Sequence, residues 1–254
     1  MFVTNARKKL IFNMEDVYFC PDYKAYRKTA TVTTFYNSPI QSRYSVAHDT
    51  LLVDLYKTEE ELLAEISEST RRMIRKNLKD GEFKYEFFTP GKQDFDEFEE
   101  FYNIFANTKG LPLFRRDSIE CINATGNIVM AKTTEISTGQ ICVYKMFICG
   151  NDRVVAHHEC SVFHQSDSPN ERNRLAKASK TFTYVSFLHF KEAGIRWFDL
   201  GGLSLNKHSD NREGIDTYKL RFGGATVREY HLFVGKGIAG KILAWMYFKK
   251  NANY

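Results

Sequence analysis

Three observations predict a mixed α/β (α+β) fold: a largely antiparallel central sheet flanked by helices, with a β-rich N-terminal extension. Short runs of β-branched and aromatic residues fill positions 1–50. Three β-patterned segments joined by short polar turns occupy 128–163. Helical stripes of apolar residues lie before and after them. The extension spans 1–50 and the main domain 51–254.

At 254 residues the chain is long enough to bury a sizeable core. Hydrophobic residues at 43% and charged residues at 26% place it among globular proteins rather than disordered ones. The 21 Phe and 14 Tyr point to an aromatic core. Five cysteines, scattered and without a Cys-x-x-Cys pair, argue against a zinc knuckle and a disulfide framework. No stretch has a signal-peptide apolar run or approaches membrane-spanning length, so the chain reads as cytoplasmic, without membrane insertion. The net charge of +5 fits an enzyme with anionic substrates and is too small alone to indicate nucleic-acid binding.

The elements follow in order. Lys9–Phe12 and Ala30–Tyr36 read as strands or a hairpin, the second broken by Asn37-Ser38-Pro39. Between them the basic, Tyr-rich piece Tyr23–Lys28 is a solvated loop or edge strand, with a phosphate contact as the alternative. Leu51–Leu55 is a strand. Thr58 and Glu61 form a capping box that opens one helix running to Gly81. Leu62, Ile66, Met73 and Leu78 form its buried stripe, widened by Leu63 and Ile74. Its basic tail (Arg71, Arg72, Arg75, Lys76, Lys79) is either a dipole-complementing face in water or a phosphate-binding patch.

Phe83–Phe87 alternates as a strand, and Thr89-Pro90-Gly91 is a turn. From Asp94 a helix carries the stripe Phe95, Phe98, Phe101, Tyr102 and Phe105, better explained as a core face than as a cofactor box. It stops at Lys109-Gly110-Leu111-Pro112, and a short helical stretch ends near Gly126. Ile128–Ile136, Ile141–Cys149 and Arg153–Phe163 form an antiparallel meander. The long helix that follows has two candidate starts: the Ser168–Glu171 capping box with Pro169 at its first position, or a point near Lys177. A strand, Ile195–Leu200, ends on Gly201-Gly202. A Lys/Arg-bearing helical turn closes on Gly223-Gly224, and a last helix spans Ile238–Lys249.

The run Lys191-Glu192-Ala193-Gly194, then Phe198-Asp199-Leu200-Gly201-Gly202, then Tyr218-Lys219-Leu220-Arg221-Phe222-Gly223-Gly224 resembles the C-terminal half of FemAB-type transferases. These belong to the GNAT superfamily and include peptidoglycan bridge-forming aminoacyl transferases and related N-acyltransferases. Lys177-Ala178-Ser179-Lys180 is similar to their Arg-Ala-Asn-Arg, and Thr70–Lys76 to their Arg-Arg-x-Ile-Arg-Lys. Matches in the same order cover most of 51–235. The resemblance implies a GNAT-like fold and transfer of an acyl group from an activated donor to an amine, by direct attack without a covalent enzyme intermediate.

The resemblance also implies site residues. Lys219 would stabilise charge growing on the tetrahedral intermediate or leaving group, with a surface lysine as the plain alternative. Tyr218, Arg71 and Arg75 would contact substrate. Arg174, Lys177, Ser179 and Lys180 would hold the donor's pyrophosphate where the central strand meets the next helix, or form a solvated helix face. The Gly-rich loop of GNAT enzymes at that junction is absent. Asp199 would anchor the glycine loop, orient an acceptor amine or cap the turn. His158 or Glu159 would remove the amine proton. Strict strand alternation puts His157 and Glu159 on one face and His158 on the other. Cys160 is a buried thiol or a nucleophile. No metal set, Gly-x-Ser-x-Gly, P-loop or Rossmann pattern is present. Acyl-CoA is the expected donor and a small amine or cell-envelope precursor the acceptor. Aminoacyl-tRNA-dependent transfer and a degenerate binding module are the alternatives.

Overall fold

The computed structural model describes residues 2–89, 92–162, 168–203 and 210–252. The alternating segments of the chain form strands Val3–Lys9 (β1), Phe12–Tyr18 (β2), Val32–Ser38 (β3), Ser45–Asp54 (β4), Phe83–Phe88 (β5), Ile128–Glu135 (β6), Ile141–Cys149 (β7), Arg153–Ser161 (β8), Trp197–Leu203 (β9) and Ala225–Gly235 (β10). They join in one sheet of order β1-β2-β3-β10-β4-β9-β8-β7-β6-β5. Only β2/β3 and β8/β9 pair in parallel; the other described pairs are antiparallel.

The helices are Glu59–Glu65 (α1), Glu68–Asp80 (α2), Lys92–Lys109 (α3), Glu120–Ala124 (α4), Pro169–Glu192 (α5), Asp210–Leu220 (α6) and Gly237–Ala252 (α7). On one face of the sheet Leu62, Ile74, Phe182 and Phe187 pack with Val143, Phe147 and Phe198. On the other, Phe98, Tyr102 and Ile122 pack with Met130, Tyr144, Met146 and Cys160. The Asp94 stripe is therefore a core face. α7 lies on β3, β4 and β10, with Ala244 against Val32 and Phe233.

Several expectations are corrected. The helix from Thr58 to Gly81 is two. Its capping box forms and Gly81 closes it with φ 64°, but Ile66 turns extended (ψ 134°) between the pieces. The break buries Ile66 and frees the Ser67 amide to bond the Arg221 carbonyl at 2.8 Å, tying this helix pair to the end of α6. Leu78 consequently faces solvent. Of the two readings at Lys9–Phe12 the hairpin holds rather than a strand: Leu10 and Ile11 form the two-residue turn between β1 and β2. β10, which the sequence reading left without an element, is a central strand joining β3 to β4. The long helix begins at Ser168, whose hydroxyl accepts from the Glu171 amide, and not near Lys177. Gly201-Gly202 is no terminating turn. β9 runs through it with a bulge, Leu200 and Gly201 opposing Leu51, and Gly201 adopts φ 80°.

Two glycines let α7 touch the end of β10. A Cβ on Gly240 would stand 2.3 Å from the Thr31 carbonyl oxygen. In an open helix Gly→Ala stabilises by about 1 kcal/mol. Here the backbone contact reverses the sign, and Gly240→Ala should lower the unfolding free energy by about 1–3 kcal/mol in urea denaturation.

Candidate functional site

β8 and β9 pair only over Arg153–Val155 and Trp197–Asp199, and beyond that they run on unpaired. The wedge between them has the Ala156 carbonyl on one side and Gly201-Gly202 on the other. Lys219, in the last turn of α6, reaches into it. Its Nζ donates to the Gly202 carbonyl at 2.7 Å and stands 3.5 Å from where a Cβ on Gly201 would lie. Glycine at 201 is required by the left-handed bulge, since a Cβ there would meet the ammonium only at ordinary contact distance. Burial lowers the Lys219 pKa, while the charges of Asp199, Asp216 and Glu159 oppose that shift.

Beside this wedge five side chains close a ring. Lys145 of β7 donates to the Thr183 hydroxyl at 2.7 Å and lies 3.3 Å from Glu159 of β8. Thr183 meets the Tyr218 hydroxyl at 2.8 Å, Tyr218 meets Ser179 at 3.4 Å, and Ser179 donates to Glu159 at 2.9 Å. Ser179 and Thr183 are one helical turn apart and so share a face of α5. Lys145 is 2% exposed, and burial drives its pKa down against the pull of Glu159. Burial and the Glu159 charge raise the Tyr218 pKa, so the phenol keeps its proton.

Of the expected site residues, Lys219, Glu159, Ser179 and Tyr218 come together here. Lys180 and Arg221 lie close by. Burial, then the Arg221 charge, lowers the Lys180 pKa, and among the described residues neither side chain meets a carboxylate. Arg71 is held near the carbonyls of Leu63 and Ala64 at the end of α1, and Arg75 is exposed on α2, which packs along α5. These cations gather where α2, α5 and the end of α6 meet. Because α5 starts at Ser168, Lys177 to Lys180 sit on its flank with their amides inside the helix, rather than at an open N-terminus. Lys177 is exposed. Arg174 is taken by Glu135, its side chain over the Phe83 ring.

His158 is elsewhere. At β8 Met146 pairs with His158 and Phe147 with Ala156, so His157 is an extra, unpaired residue. This bulge breaks the expected alternation. His157 and His158 both turn toward the α3 face, where His158 packs on the rings of Phe98, Tyr102 and Phe114, and Glu159 alone faces α5. Burial holds His157 at about 4 and His158 at about 3. Cys160 is buried and its thiol pKa pushed up. Asp199 is fully buried: it accepts from the Gly201 amide at 2.7 Å, the Thr50 hydroxyl and Arg153. It thus anchors the bulge and acts on Lys219 only through its field.

Sequence reasoning missed Lys145, Thr183 and Arg221. Lys145 had a signal: it is the one charge in the apolar strand Ile141–Cys149, and a buried lysine needs partners.

No family model matches the sequence, and no curated protein sequence does. Solved structures do match in fold. FemX superposes with TM-score 0.64 at 11% identity, over 96% of this chain and 85% of that one. L-PGS from Bacillus licheniformis matches with TM-score 0.53 at 12% identity, over 86% and 72% of the two chains. The C-terminal domain of a protein assigned as a lysylphosphatidylglycerol synthetase from Agrobacterium fabrum matches with TM-score 0.52 at 17% identity, over 85% and 71%. The chain therefore shares the fold of FemX and of these two structures.

The buried histidines have a pH signature. Below pH 6.5 the unfolded chain binds protons that native His157 and His158 refuse, so stability falls with pH until the native pKa is reached. Each contributes a slope of up to about 1.4 kcal/mol per pH unit. His158→Phe should lose on the order of 2–3 kcal/mol less stability than the parent between pH 6.5 and 4, read from urea midpoints at each pH.

Proposed function

We propose that this protein is an N-acyltransferase whose site is the wedge between β8 and β9. The observation that carries this is Lys219, its ammonium held in that wedge by the Gly202 carbonyl next to Glu159, Ser179 and Tyr218. An acyl carbonyl placed there would meet the ammonium as its oxygen becomes an oxyanion, which is where a fixed positive charge accelerates the step. The amine nitrogen bonds the carbonyl carbon, and the bond to the leaving group breaks. Glu159 takes the amine proton, directly or through water. Holding both substrates in line supplies the rest of the rate.

Acyl-CoA is the donor we favour and a small-molecule or cell-envelope amine the acceptor. Arg71, Arg75, Lys180 and Arg221, where α2, α5 and the end of α6 meet, would neutralise the donor's phosphates. Aminoacyl-tRNA is the second reading. The FemAB-type sequence resemblance and the fold shared with FemX over 96% of the chain support it, and the same cations suit a longer polyanion.

Thermal unfolding with acetyl-CoA, with charged tRNA and with buffer separates the readings, because only a ligand bound by the native state raises Tm. Acetyl-CoA should raise it and Lys180→Glu should abolish the shift. A shift with tRNA alone selects the second reading, and a shift with neither removes both. With the donor so identified, Lys219→Met should lower the transfer rate about 10²–10³-fold, measured by mass spectrometry of the acylated amine, with the donor-induced Tm shift retained.

A further inference from the structure

The most exposed large apolar residues of the protein include Leu10 and Ile11, at 84% and 82%, and Ile238, at 82%. Leu10 and Ile11 are the two residues of the β1–β2 turn, and Leu10 adopts φ 55°, a conformation that suits glycine or asparagine. Two bulky apolar side chains at a solvent-facing tip cost backbone strain and apolar exposure together, and no packing within the described residues repays either. Ile238 begins a stripe along α7. Ile242, Trp245 and Met246 are each about half exposed, and at about 100° per residue the four fall on one strip of the helix surface. Lys9 joins the two features: its Nζ lies 3.1 Å from the Tyr247 hydroxyl, bringing the hairpin tip beside α7.

Charge surrounds this apolar surface. Lys241 and Lys250 flank the stripe on either side, and Lys249 continues it. Residues 2–14 and 230–252 together hold seven of the chain's 36 Lys and Arg and none of its 31 Asp and Glu. Of these seven, Arg7 is paired with Asp16. The excess still exceeds the net charge of the whole chain, +5, so the rest of the molecule is net acidic.

We propose that the hairpin tip Leu10-Ile11 and the exposed stripe of α7 dock on an anionic lipid bilayer, lying in its surface. Apolar side chains aligned on one helix face, an indole among them, with lysines on the flanks and no acid is the pattern that binds at a headgroup boundary. A protein partner would be matched by shape. Here the shared property is apolar residues ringed by cations, and an anionic headgroup layer over acyl chains complements both. The helix lies on the surface and does not span it: among the described residues no helix is long and apolar enough to cross a membrane.

The test uses the full chain and sucrose-loaded vesicles of phosphatidylglycerol with phosphatidylcholine, against vesicles of phosphatidylcholine alone. The protein should sediment with the anionic vesicles and be released by salt. Trp245 emission should shift to the blue, whereas Trp197, the chain's other tryptophan, lies under Arg196. Ile242→Glu with Trp245→Glu should weaken partition at least about tenfold. Leu10→Gly with Ile11→Ser should weaken it too, while thermal unfolding stays at or above that of the parent, since the new pair suits the turn. Four results would overturn the proposal: no sedimentation with either vesicle, equal binding to both, binding that neither double variant changes, or a dimer that Ile242→Glu dissociates without any vesicle binding.

Discussion

Arg153 holds the region on which the rest depends. It stands at the first position of β8, at the closed end of the wedge. From there its guanidinium reaches over β9 and β4 to Glu229 on β10, with bonds of 2.6 and 2.8 Å, and takes Asp199 of β9 at 2.5 Å. Burying one cation with two carboxylates is costly unless their remaining lone pairs are met. Thr50 and the Gly201 amide take one Asp199 oxygen and Asn37 donates to Glu229 at 3.1 Å, which offsets part of that cost, while the Arg153 Nε–H is buried without a partner among the described residues. Loss of the guanidinium would leave two carboxylates unpaired, a change that typically costs about 3–5 kcal/mol. The cluster thus fixes where the β8/β9 pairing stops, and so where the wedge begins.

Two bulges then decide what faces that wedge. The one in β9 puts Gly201 in a left-handed conformation beside the Gly202 carbonyl that holds Lys219. The one in β8 absorbs His157 and shifts the phase of the strand, so that Glu159 rather than a histidine looks toward α5. Had strict alternation continued from Ala156 through His157, His158 rather than Glu159 would face Ser179 and Lys145, an imidazole in place of the carboxylate. The imidazoles instead fill the aromatic side, where burial keeps them neutral.

What the sequence made legible was whatever depends on neighbours along the chain. The capping box at Thr58, the Ser168 N-cap, the left-handed Gly81, the Phe95–Phe105 stripe and the 128–161 meander are local patterns, and each formed. Lys219 and Tyr218 were marked by a motif and did reach the wedge. The misreadings have a common cause, since each was settled by contacts far along the chain. The helix breaks at Ile66 and the Ser67 amide bonds the Arg221 carbonyl, Gly201-Gly202 stays in a strand because β4 pairs with it, and β10 is central because β3 and β4 flank it. A bulge is worse still for a period-two reading, because one residue inverts every side chain after it.

Two lysines border Glu159, and their surroundings assign them different work. Lys145 is enclosed by Thr183, Glu159 and the Phe182 ring, with 2% of its side chain exposed, so nothing arriving in the wedge can touch it. It can only hold Glu159 and the Thr183–Tyr218 pair in place. Among the described residues Lys219 is bound by a single carbonyl oxygen, and an ammonium has two further protons to donate. Burial alone would favour losing its charge, yet three carboxylates, those of Asp199, Asp216 and Glu159, all act to keep it. A side chain fixed at one described contact, with three carboxylates opposing the loss of its charge, and still able to donate is preorganised for an oxygen that gains negative charge only during the reaction. The enclosed lysine therefore sets the geometry, and the open one meets the substrate.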